Sequence, residues 1–79
     1  MSDTGRLEDA AAAVDQAAHD LNNLCTSMLG FAELTLASLR PGVREYAYVQ
    51  EIAGSGRQAI LLADRLKQIA AQLRTAGRR

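Results

Sequence analysis

The sequence predicts an all-α protein, an antiparallel helical hairpin that pairs with a second copy as a homodimeric four-helix bundle. Three observations carry this. Apolar residues recur every seven positions along two long stretches, a single Pro-Gly step separates those stretches, and Ala and Leu dominate a chain with one Phe, two Tyr and no Trp. Little β-branched or turn-forming content is left to make a sheet. The 79 residues allow one domain, spanning 1–79.

Helix one is expected over about residues 4–40. Thr4 or Asp3 is placed to cap it, with Glu8 and Asp9 near its positive end. With Leu21 at heptad position a, Leu7, Val14, Leu21 and Met28 form one track. Ala10, Ala17, Leu24 and Phe31 form a second three residues later, and Ala11, Ala18, Cys25, Ala32 and Leu39 widen the stripe. Three apolar tracks suit a bundle helix better than a two-stranded seam. Cys25, beside the core, reads as a small buried hydrophobe.

The pattern stops at Arg40-Pro41-Gly42, with the turn at 41–42. Proline disfavours helix at the residue before it, and glycine permits a turn. So short a link between long helices makes them antiparallel.

Helix two is expected over about 43–74, with Thr75 to Arg79 as a frayed tail. Ile52, Ala59, Leu66 and Leu73 form one track; Val49, Gly56, Ala63 and Ala70 form another, and Ile60 and Ile69 broaden the face. Gly54-Ser55-Gly56 reads as a bend or a site of close packing, since each interior glycine costs about 1 kcal/mol against alanine. A hairpin cannot cover a stripe this wide, which is why a second copy is expected.

Composition also excludes. Net charge is zero, with nine bases and nine acids, so a general affinity for nucleic acid is not expected. One Cys and one His leave no internal disulfide and no metal site from this chain. There is no twenty-residue apolar run or signal peptide, so no membrane segment is expected and a cytoplasmic location is the default. Charge is segregated: residues 1–20 carry five acids and one base, residues 57–79 six bases and one acid. Pairing of the hairpin's ends and the helix dipoles account for this.

The chemistry concentrates at His19-Asp20-Leu21-Asn22-Asn23, which holds the only histidine. His19 falls at position f, away from the apolar tracks, with Thr26 and Glu33 on the same track. Asn23 lies one turn on, beside it. A neutral imidazole leaves one ring nitrogen free as a nucleophile. A carboxylate accepting from the other N–H would fix the tautomer; Asp20 is the first candidate and Asp15, one turn earlier, the second. Asn23 is placed to bind a phosphoryl oxygen or to position a water. Thr26, Ser27, Leu29 and Gly30 are the candidate partner-binding residues, three of them small enough to admit a globular partner near the backbone. Leu29 and Leu36, at position b, either face helix two or act as docking contacts. The plain alternative is a solvated helix face with a surface histidine.

The run AAHDLNNLCTSMLGFAEL (residues 17–34) resembles the phosphoacceptor helix of sensor histidine kinases, in their dimerisation and histidine-phosphotransfer domain. That family's His-Asp-Phe-Asn-Asn-Leu, followed by Gly-x-x-Glu-Leu, is matched by His19 to Leu24 and by Gly30, Glu33 and Leu34. EIAGSGRQAILLADRLKQIA resembles the domain's second helix. The resemblance implies that His19 takes up a phosphoryl group and exchanges it with an aspartate of a response-regulator receiver. Asp20 then matches the activating acid, and Asn23 the residue supporting dephosphorylation in some members.

Three features depart from the family. Leu21 replaces phenylalanine, and Gln68 to Gln72 does not reproduce the Phe-Ser-Arg ending. The asparagine and glycine boxes of the ATP-binding domain do not occur within these 79 residues. The chain by itself is therefore expected to hold no cofactor and to have no autonomous kinase activity. ATP-Mg would act only through a separate histidine-kinase catalytic domain, in trans, and the chain reads as either an excised kinase domain or a stand-alone phosphotransfer protein. The alternatives are a receiver-binding or phosphatase-type module without phosphotransfer, and a Rop-like RNA-binding hairpin using the arginines of helix two.

Overall fold

The computed structural model describes residues 3–77 as two helices, α1 (Asp3–Ser38) and α2 (Arg44–Gly77), folded against each other as a hairpin. A 36-residue helix is about 54 Å long. The Cα trace spans 59 × 13 × 12 Å, so the helices lie side by side over their full length. Their direction is antiparallel: Asp15 meets Arg74 near one end, and Leu29 meets Gly56 nearer the turn.

The turn follows from Pro41. α1 ends at Ser38, two residues earlier than expected, because the residue before proline avoids the α region. Leu39 N–H is shared between the carbonyls of Thr35 (3.1 Å) and Leu36 (3.3 Å), which tightens the last turn. No basic residue serves that end, but the hydroxyls of Thr35 and Ser38 donate to the carbonyls of Phe31 and Leu34. Val43 N–H then donates to Arg40 C=O at 3.1 Å, closing a four-residue turn around Pro41 and Gly42. No described glycine has positive φ, so this is not the type II turn that requires glycine. The rigidity of Pro41 matters here more than the freedom of Gly42.

The remaining boundaries differ in instructive ways. α1 is already helical at Asp3, so the two residues expected to cap it, Asp3 and Thr4, belong to its first turn. α2 continues to Gly77, so Thr75 to Gly77 is helix and not a frayed tail. Thr75 Oγ1 donates to Ala71 C=O at 3.1 Å, and Gly77 is buried. Arg78 and Arg79 lie outside the described residues. The Gly54-Ser55-Gly56 step does not interrupt α2. Gly56 is the site of close packing: a Cβ there would stand 3.6 Å from Leu29 Cβ, whereas one at Gly54 would meet nothing within 4 Å.

The seam is built from small residues. Ala11, Ala18, Cys25 and Ala32, seven apart, are buried on α1; Ala53, Ala63, Ala70 and Gly77 are buried on α2. Among the described residues no large side chain is fully buried. The α1 track expected only to widen the stripe is thus its centre. The reason is steric, since two helices approach most closely where their side chains are smallest. The larger apolar residues are displaced to the flanks, and many stay in water: Leu24 is 64%, Met28 59%, Phe31 70% and Ile52 51% exposed.

Candidate functional site

The seam sorts the surface of α1 into two flanks. Residues directly before each seam position (Ala10, Ala17, Leu24, Phe31) turn about 100° one way, and those directly after it (Ala12, His19, Thr26, Glu33) about 100° the other. The first flank is apolar. With Met28 it meets Val49 and Ile52 of α2 along a shallow groove that also takes in Ala32 and Thr35. The second flank is polar and carries the histidine. His19 and Asn23 are both exposed, while Asn22 is half-buried between them and α2.

Asn23 is the residue that reaches the imidazole. Its side-chain nitrogen stands 3.4 Å from His19 Nε2, a long hydrogen bond across one helical turn. With the amide as donor, Nε2 is the accepting atom, and the same ring nitrogen is the one that faces Asn23 on the exposed side of the helix.

The carboxylates are engaged elsewhere. Asp20 Oδ1 accepts from Gln16 Nε2 at 2.9 Å, one turn below it on the same helix. Asp15, the second candidate, pairs with Arg74 at 3.7 Å, both side chains about two-fifths exposed. Such a surface pair contributes at most about 1 kcal/mol. Neither carboxylate expected to orient the imidazole is bonded to it. The orienting contact comes from an amide.

The candidate partner-binding residues divide. Thr26 lies on the histidine's flank, seven residues further on, and its hydroxyl donates to Asn22 Oδ1 at 3.4 Å. Ser27 and Gly30 line a depression on the outer face of α1 with Phe31 and Leu34. A Cβ on Gly30 would meet nothing within 4 Å, so its backbone is open to approach. Leu29 is different: it packs on Gly56 and faces α2. Leu36 is half-buried like Leu29. Cys25 is a buried free thiol.

Among the described residues there is no group of three or more His, Cys, Asp or Glu placed to hold a metal ion. Among the same residues no helix is long and apolar enough to cross a membrane. Compared with protein-family profiles, with curated proteins and with solved structures, the chain matches none.

Proposed function

We propose that this chain is a histidine phosphotransfer module that works as a homodimer with a response-regulator receiver domain, in the cytoplasm. The observation that carries the reading is the pairing of an exposed His19 with Asn23 at its Nε2, on the polar flank of a hairpin whose opposite flank leaves Leu24, Met28 and Phe31 uncovered. A second copy laid on the apolar flank completes a four-helix bundle and keeps both histidines open to a partner.

The chemistry balances without help from a metal bound to this chain. Nε2 attacks the phosphorus of an aspartyl phosphate, the N–P bond forms, the P–O bond breaks, and the receiver's carboxylate leaves. Positive charge develops on the ring and is relieved by loss of the Nδ1 proton. In the reverse direction the receiver's aspartate attacks and the imidazole leaves. The amide of Asn23 stands where it can release Nε2 and donate to a phosphoryl oxygen instead. Residues 1–79 contain no ATP-binding boxes, so charging from ATP-Mg falls to a catalytic domain outside them.

Incubation with a phosphorylated receiver, or with an ATP-competent catalytic domain and ATP, should label the chain. His19→Ala should abolish that label while the helical content stays unchanged, because the side chain is exposed. Label retained in His19→Ala would refute the reading. The engagement of Asp20 with Gln16 favours a second reading, a receiver-binding or phosphatase-type module. It predicts receiver binding unchanged by His19→Ala, with no label in any pairing.

A further inference from the structure

The polar flank repeats every seven residues, and the repeat places a basic residue of α2 on the flank that carries His19. Asp15 and Arg74 touch across the seam. Seven residues on from Asp15 is Asn22; seven back from Arg74 is Lys67; both are half-buried. Seven further again are Leu29 and Ile60, also half-buried, and Leu29 packs on α2 at Gly56, one turn from Ile60. Because both helices share this period, Lys67 lies two turns along α2 from Arg74 on the flank that carries Asp15, Asn22 and His19.

The rungs differ in charge. At the first, Arg74 is offset by Asp15. Seven residues on, the α1 position matching Asp15 is the neutral Asn22, and among the described residues the Asp15–Arg74 contact is the ion pair that is formed, leaving Lys67 outside it. A half-buried lysine lays its methylene stem along the helix surface and carries its ammonium out to water. His19 stands between these rungs, four residues after Asp15 and three before Asn22, on the same flank.

We propose that Lys67 supplies the positive charge that receives an anionic group at His19, drawing the phosphoryl donor in and offsetting the charge once the group is bound. The inference rests on the phosphotransfer reading and adds to it a residue from the other helix. It makes Lys67 a positioning residue, because it acts on the incoming anion and leaves bond making to Nε2.

The test uses a small donor, so that no partner protein is needed. Phosphoramidate transfers its phosphoryl group to histidine: Nε2 bonds to phosphorus, the P–N bond breaks, and ammonia leaves. His19 is the only histidine, so phosphohistidine content reads this site alone. Lys67→Gln should slow loading by roughly three- to tenfold at low salt, the size expected for one charge near an anionic phosphoryl group in water. Lys67→Arg should load within about twofold of the unmodified protein, and the deficit of Lys67→Gln should shrink as salt is added. Acylation of His19 by diethyl pyrocarbonate, a neutral reagent, should be the same in all three, and circular dichroism should confirm equal helicity. Equal phosphoramidate rates for Lys67→Gln and the unmodified protein would overturn the role of Lys67 alone. So would equal slowing of both reagents, which would mark a change of shape. Failure of His19 to load at all, while diethyl pyrocarbonate still modifies it, would remove the phosphotransfer reading and this inference with it.

Discussion

On the proposed homodimer, replacing Phe31 with alanine should weaken the association of the two copies. A phenylalanine side chain offers about 150–250 Å² to burial, and Phe31 is 70% exposed on the single hairpin. About 140 Å² therefore awaits cover, worth about 3.5 kcal/mol per copy at about 25 cal/mol per Å². Alanine retains roughly a quarter of that area, so the loss is about 2.5 kcal/mol per copy and about 5 kcal/mol per dimer if cover is complete. Half cover halves the figure. The dissociation constant should then weaken by roughly two to four orders of magnitude. Sedimentation velocity across a concentration series reads this directly, with helicity followed in parallel. Because the seam itself is made of alanines, dissociation should also lower the thermal midpoint in a concentration-dependent way. Glu33→Ala, on the other flank, should change neither. A folded monomer of the unmodified protein at micromolar concentration would refute the reasoning, as would a Phe31→Ala dimer of undiminished affinity.

Two further substitutions probe the hairpin. Ala18 is fully buried on the seam, so Ala18→Leu should overpack it and destabilise by about 1–3 kcal/mol, read from denaturant midpoints. Gly54→Ala places a methyl in open space on an unbroken helix and should stabilise by up to about 1 kcal/mol, raising the thermal midpoint by a few degrees.

The hairpin was legible because its signals do not compete. A seven-residue period cannot be read as a strand, and Arg40-Pro41-Gly42 is the only step that breaks it. The seam was less legible. Alanine is weakly apolar, so a hydrophobicity pattern gives more weight to Leu24, Met28 and Phe31 than to Ala11, Ala18 and Ala32. Close approach of two helices reverses that ranking, since it selects for small volume and not for transfer energy. The exposure of His19 and its neighbour Asn23 could be read from spacing alone. Asp20 could not be resolved that way: it lies about 100° around the helix from His19, whereas Gln16 lies one turn beneath it and holds its carboxylate at 2.9 Å. The flank on which α2 presents Lys67 was equally hidden, because it follows from the cross-helix contact of Asp15 with Arg74.

A body 59 Å long and about 13 Å across has a consequence for the chemistry it can host. Along its described surface the depressions beside the helices are open to solvent. Groups on such a rod meet a dielectric close to that of the surrounding solution, where charges act weakly and hydrolysis competes with transfer. On the proposed phosphotransfer reading, a labile bond at His19 takes its shelter from whatever is laid against it.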